Sequence, residues 1–153
     1  MLCKELQFGD WCCNKHGFPM QITNVGEDYA YATWEGNEGD PWEFDDKDDQ
    51  PEPIPLTPEI LEKNGFSSET FLTAEWEKEV YFKEFSSCVV EPDESGKYIF
   101  GTTICWNKKD GDGSPMDWGT MYDSRICNLQ YAHELQRALR LCGLNELADN
   151  FKV

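Results

Sequence analysis

The stretch IPLTPEILEKNGF, residues 54–66, contains closely spaced start and stop signals for a helix. Thr57 is a favourable N-cap, because its hydroxyl can accept a hydrogen bond from an amide of the first turn. Pro58 suits the first helical position, where an N–H is not needed. Gly65 suits the left-handed position that follows a helix. The stretch therefore predicts a two-turn helix over residues 57–64.

Leucine and phenylalanine side chains flank this helix in a pattern that would fix the chain at both of its ends. Leu61 is spaced to contact Leu56 before the helix and Phe66 after it. An isolated helix of this length is marginal in water, so the flanking contacts must stabilise it. We interpret residues 57–65 as a rigid connection between two parts of the fold.

The residues before this helix read as five short strands, and they predict an SH3-like barrel over residues 1–56. The strand signals are GDWCCN, MQITNV, YAYATW, PWEFDD and a brief IPL. KDDQPEP reads as a turn or one 3₁₀ turn before the last strand. The prolines of that strand restrict it to an edge of the sheet.

The residues after the helix predict a second part, an antiparallel sheet packed by a C-terminal helix over residues 66–153. VYFKEF, CVVE, KYIFGTTICW and MDWGTMYD predict three or four strands. NLQYAHELQRALRLCG has one apolar face and reads as a helix capped by Asn128 and ended by Gly143. We expect that face to cover the second sheet. The opposite, polar face carries Gln130, His133, Glu134, Gln136, Arg137 and Arg140. The predicted fold class is α+β.

Acidic residues dominate the charge of the chain, whose formal net charge is −17. Residues 35–52, called here the acidic window, hold nine acidic residues and one basic residue, or −8 of that total. Such a surface repels phosphate backbones, which argues against direct nucleic-acid binding. It favours a basic protein partner instead.

Aromatic side chains flank the acidic window and suggest how it would bind. Aromatic rings beside carboxylates can hold Lys or Arg through cation–π and ion-pair contacts, although the same rings are also expected in a barrel core. The candidate partner-binding residues are Trp34, Glu38, Asp40, Trp42, Glu43, Asp45, Asp46, Asp48 and Asp49.

Metal and catalytic motifs are incomplete in this sequence. Cys13 and His16 have ligand-like spacing beside Cys12, but a second ligand pair at short spacing is missing. HELQR has arginine where a zinc-protease helix needs its second histidine, and DGDGS at residues 110–114 departs from the calcium-loop pattern. Nucleophile and phosphate-loop motifs are also missing. We therefore predict a protein that is not an enzyme and that uses no cofactor or metal.

The seven cysteines are odd in number and irregular in spacing. Together with an N-terminus that lacks an apolar signal segment, they predict a cytoplasmic protein with reduced thiols. We expect no membrane span.

Several segments together resemble a family of small acidic proteins from gut bacteria of the Bacteroides group and their phages and mobile elements. The resemblance rests on FGDW, GNEGDPWEFDD, IPLTPEILEKNGF, YAHELQRALRLCGL and ELADNF, in the same order along nearly the whole chain. The resemblance gives no assigned activity and no catalytic residue that could be carried over to this chain. It does imply a mobile-element context.

The sequence thus favours a non-catalytic binding or adaptor protein of phage or mobile-element type that engages a basic host or phage protein. One alternative is a DNA mimic that inhibits a nucleic-acid-binding or defence protein, which would need carboxylates spaced like phosphates over an extended surface. Another is a small-ligand binder with aromatic side chains lining a pocket between the two halves of the chain.

Overall fold

The structure is a computed structural model that describes residues 1–72, 77–83, 88–103 and 123–153. Its fold class is α+β, as predicted, with two antiparallel sheets and short helices. The chain divides into two compact units. Unit 1 combines Met1–Asn64 with Gln130–Val153, and unit 2 is Gly65–Leu129.

The first sheet of unit 1 is a curled, five-stranded antiparallel half-barrel. Its strands are β1 (Trp11–Cys13), β2 (Pro19–Val25), β3 (Tyr29–Thr33), β4 (Trp42–Asp45) and β5 (Glu52–Pro53). They lie in the order β4-β3-β2-β1-β5, so β4 and β5 are the edges. A single 3₁₀ turn at Cys3–Glu5 precedes β1.

Alternation along these strands builds the core of the half-barrel. Ala30, Ala32 and Phe44 are fully buried, whereas their strand neighbours face outward or are only partly covered. The same core includes Cys3, Leu6, Cys12, Met20 and Ile22. The four longer strand predictions are therefore confirmed in position.

The fifth strand differs from its prediction. The sequence placed it at IPL, but β5 is Glu52–Pro53 and pairs with β1. Pro55 forms only an isolated bridge, with Tyr131. The shift arises because β5 is set by pairing with a distant strand. The sequence placed Pro53 in a turn, but it lies in this edge strand, where proline is tolerated although it cannot donate to a ladder.

Helix α1 (Pro58–Lys63) confirms the predicted helix and both of its end signals. The Thr57 hydroxyl accepts a hydrogen bond from the Ile60 amide at 3.3 Å. Gly65 has a φ of +73°, the left-handed conformation that ends a helix. Leu61 is fully buried, as a side chain that anchors the helix must be.

Helices α2 (Ala132–Leu141) and α3 (Asn145–Asp149) also belong to unit 1. The predicted N-cap of α2 is wrong, since Asn128 lies in a strand and Tyr131 is the N-cap. The Glu134 carboxylate instead closes the helix start by accepting hydrogen bonds from the amides of Gln130 and Tyr131. Gly143 ends the helix with a φ of +77°, as predicted.

The contacts of α2 differ from the prediction that it would cover the second sheet. Gln136 and Arg137, expected on a solvated face, bond with residues around β1. Gln136 is fully buried, and His133 is 5% exposed. The partners of Gln136 and Arg137 around β1 lie more than a hundred residues away in sequence, so helical periodicity could not reveal them. The sequence placed all of residues 66–153 in one part, whereas in the structure Gln130–Val153 groups with Met1–Asn64.

Unit 2 contains a second antiparallel sheet in the order β10-β9-β8-β7-β6. Its strands are β6 (Phe66–Leu72), β7 (Glu77–Lys83), β8 (Cys88–Pro92), β9 (Tyr98–Thr103) and β10 (Asp123–Leu129). Three or four strands were predicted, and β6 was not foreseen. The predicted strand MDWGTMYD lies almost entirely outside the described residues. Within the described ranges, no helix has the length and apolar character needed to cross a bilayer.

Candidate functional site

The outer face of β3 and β4 brings two tyrosines into register with two carboxylates of the acidic window. Tyr31 lies opposite Glu43, and Tyr29 lies opposite Asp45. The Tyr31 hydroxyl donates a hydrogen bond to Glu43 Oε2 at 3.2 Å. The two tyrosine rings meet edge to face, with centroids 5.5 Å apart. We call these four residues the tyrosine–carboxylate face.

Local sequence explains why this face forms. In YAYAT the alanines fill inward positions, so the alternating tyrosines must point outward. Tyr29 is 42% exposed. Gly26 gives its ring room, because a Cβ at that position would lie 2.3 Å from the ring. The two tyrosines were not among the predicted site residues, although the alternation in YAYAT was the signal that could have identified them.

Hydrogen bonds and a neighbouring charge shift the pKa values of Asp45 and Tyr31 on this face. Asp45 Oδ1 accepts from the amides of Lys47 and Asp48, both at 2.7 Å, and these bonds lower the pKa of its carboxyl group. The nearby Glu43 charge raises the pKa of Tyr31. At neutral pH Asp45 therefore stays ionised and Tyr31 stays neutral, and an aromatic ring beside a carboxylate suits a cation.

Two of the predicted partner-binding aspartates hold the fold together instead. Asp46 Oδ1 accepts a hydrogen bond from the Cys3 amide at 2.7 Å. Asp49 Oδ2 accepts from the Trp42 indole N–H at 3.0 Å, and Asp49 Oδ1 lies 3.7 Å from Lys15 Nζ. These carboxylates are accordingly committed to internal contacts.

The two flanking tryptophans have different settings. Trp42 packs against the half-barrel core and is only partly exposed, so the interpretation of it as core is the better one. Trp34 is 39% exposed, at the start of the turn that leads into the acidic window. Only Trp34 is therefore well placed to contact a partner.

The remaining predicted residues are exposed acids in the loops of the window. Asp40 and Asp48 are both exposed. Glu38 accepts a hydrogen bond from the Gly36 amide at 3.1 Å, and backbone hydrogen bonds lower the pKa of its carboxyl group. All three carboxylates are accessible, and the lowered pKa keeps Glu38 ionised at neutral pH.

A depression of about 310 Å³ lies beside the window, with a lining that is mainly polar and includes Lys15, Lys47, Asp48 and Glu52. Aromatic rings do not line it. It therefore does not match the aromatic-lined pocket of the small-ligand hypothesis.

The cysteine and histidine candidates are separated by the fold. Cys12 is buried in the half-barrel core, Cys13 is half-buried, and His16 lies in an exposed turn. Burial raises the pKa of both thiols. Among the described residues, no three His, Cys, Asp or Glu side chains are grouped to hold a metal ion. The DGDGS loop at residues 110–114 lies outside the described residues.

A buried carboxylate forms the other charged cluster of unit 1. Asp10 is fully buried and accepts hydrogen bonds from the Gln7 amide at 2.8 Å and from Arg137 Nη2 at 2.6 Å. Arg140 Nη1 lies 3.5 Å from Asp10 Oδ1, and Arg137 also donates to the Glu5 carbonyl. Because its partners are supplied from within the unit, this cluster joins α2 to the first sheet rather than serving a ligand.

Comparison with known proteins adds no relative to this description. No protein-family model, no curated protein and no solved structure matches the chain.

Proposed function

We propose that the protein is a non-catalytic binding or adaptor protein that engages a basic protein partner through unit 1. The observation that carries the proposal is the tyrosine–carboxylate face, where one exposed and one half-buried tyrosine lie opposite two carboxylates on neighbouring strands. Asp40, Asp48 and the 39% exposed Trp34 extend the acidic and aromatic character into the neighbouring loops. Aromatic rings beside acids favour cationic groups.

The proposal includes an SH3-like architecture for the half-barrel. Its support is the strand order β4-β3-β2-β1-β5, in which neighbouring strands form a meander and the short last strand returns to pair with the first. A small barrel of this kind presents its outer strands and loops to partners.

Charge also bears on the class of partner. A net charge of −17 disfavours direct contact with nucleic acid and favours electrostatic steering of a basic protein. The family resemblance and the buried, free thiols of Cys3 and Cys12 support a cytoplasmic protein of phage or mobile-element origin. The DNA-mimic alternative gains no specific support, because Asp46 and Asp49 are committed to internal bonds.

Affinity capture from host lysate at low and high salt, read by mass spectrometry, tests the proposal. The structure selects the variants: Asp40→Asn with Asp48→Asn removes two exposed charges of the window. Glu62→Gln with Glu146→Gln removes two exposed charges elsewhere in unit 1 and is the matched control.

We expect the parent protein to retain one or more basic proteins at low salt and to release them at high salt, because exposed charges are screened over about 8 Å at physiological ionic strength. The window variant should lose them at lower salt than the control. Equal retention by both variants, or capture that is insensitive to salt, would contradict the proposed function.

A further inference from the structure

The spacing of the tyrosine–carboxylate face suggests a more specific partner chemistry. It consists of two cross-strand rows, Tyr31 with Glu43 and Tyr29 with Asp45, in adjacent same-face positions of the same two strands. Same-face residues of a strand are about 6.6 Å apart along the strand. Each row therefore offers one ring and one carboxylate to one cation.

Each row has acceptor capacity left after its internal bonds. Tyr31 bonds to Glu43 Oε2, which leaves Oε1 of this exposed side chain to accept. Both amide bonds to Asp45 fall on Oδ1, and none of the hydrogen bonds in the described part of the chain uses Oδ2. A donor that lies against the tyrosine ring could therefore also reach a carboxylate oxygen.

We infer that the face binds an extended segment of a partner protein with the pattern Arg-x-Arg, one guanidinium on each row. Guanidinium is planar, so it can stack on a tyrosine ring while its N–H groups bond the carboxylate in the same row. Lysine supplies a point charge without that planar geometry. In an extended ligand, arginines two residues apart lie on one side at about the same 6.6 Å spacing, whereas adjacent arginines point to opposite sides.

This inference rests on the proposed function and narrows its partner to one residue type and one spacing. Three labelled peptides test it by fluorescence anisotropy at fixed salt: Gly-Ser-Arg-Ser-Arg-Ser-Gly, its double-lysine analogue, and Gly-Ser-Arg-Arg-Ser-Ser-Gly. The first and third peptides have the same composition and charge, so any difference between them reports spacing alone.

We expect the first peptide to bind at least about threefold more tightly than either of the others. Tyr29→Ala should weaken it about two- to fivefold, as expected for one exposed cation–π contact. Glu43→Gln should weaken it by a similar factor. Tyr29→Phe keeps the ring and should retain the preference for the first peptide, which separates ring stacking from misfolding.

The matched controls are Phe18→Ala, which removes an exposed ring elsewhere in unit 1, and Glu62→Gln, which removes an exposed charge elsewhere. Both should leave the three affinities unchanged. Equal binding of all three peptides, equal losses in the controls, or no binding at about 1 mM peptide would overturn the inference. If the lysate capture still shows a salt-sensitive partner that depends on Asp40 and Asp48, the proposed function stands and only the Arg-x-Arg assignment fails.

Discussion

Gln136 connects helix α2 to the first sheet, and replacing it measures how much this connection stabilises the fold. Its buried side-chain amide accepts a hydrogen bond from the backbone N–H of Trp11 at 3.0 Å. It also donates to the carbonyls of Gly9 at 2.9 Å and Ala148 at 3.2 Å. Gln136→Met keeps a similar side-chain length but removes all three bonds. Each net hydrogen bond contributes about 1 kcal/mol, and groups left unpaired in the interior cost more. We therefore expect a loss of about 2–4 kcal/mol in the free energy of unfolding.

Urea unfolding followed by tryptophan fluorescence measures this loss. Gln130→Met is the matched control, because the Gln130 side chain is exposed and the change should stay within about 0.5 kcal/mol of the parent. A loss for Gln136→Met no larger than that of the control would refute the conclusion that Gln136 ties α2 to β1.

Gln136→Glu adds a second measurement that depends on pH. It places a carboxylate against two carbonyl oxygens, which disfavours the charged form in the folded state and raises the pKa of the new group. Its stability relative to the parent should therefore improve as pH falls toward about 4. A deficit that is independent of pH would show that the side chain does not face those carbonyls.

Three further predictions concern unit 1. Leu61→Ala should reduce the free energy of unfolding by about 2–4 kcal/mol in urea, since Leu61 is fully buried, and a loss below about 0.5 kcal/mol would contradict its anchoring role. Burial lowers the pKa of His133 in the folded state. As pH falls below about 6.5, the unfolded chain therefore binds a proton at this histidine before the folded chain does, and the free energy of unfolding should decrease until the folded-state pKa is passed. His133→Gln should flatten that pH dependence, and an unchanged slope would count against the assignment. Burial and the neighbouring Asp46 raise the pKa of Cys3 to about 12. A thiol reagent should therefore modify the exposed Cys142 in the native protein but react with Cys3 only after unfolding. Comparable modification rates of the two cysteines in the native protein, measured by mass spectrometry, would contradict this.

Local signals made helix α1 fully predictable from the sequence. Its cap, its first-position proline and its terminal glycine act within a few residues of one another, so no distant contact was needed to foresee them. The strands β1 to β4 were found for the same reason, through alternation and turn residues. The fifth strand was misplaced because its position depends on pairing with β1, about forty residues away.

Non-local contacts explain what the sequence could not indicate. Gln136 and Arg137 looked like solvated helix residues, because their partners near residue 10 cannot be read from a helical pattern. In the acidic window, composition alone could not separate Asp46, which binds a backbone amide, from Asp48, which is exposed. The predicted partner-binding residues therefore fall into two groups in the structure, those committed to internal bonds and those that are accessible.

The construction of unit 1 from two distant segments has a consequence for synthesis on the ribosome. The Trp11 indole N–H donates to the Phe151 carbonyl, and the Asp10 carboxylate accepts from Arg137. The half-barrel therefore cannot complete these contacts until about 140 further residues have been made. The intervening segment Gly65–Leu129 emerges as a whole before that point, and its strand pairs are between chain neighbours. Since contacts of long sequence separation form slowly and domains fold as units during translation, strands β6 to β10 should become protease-resistant on the ribosome before the half-barrel.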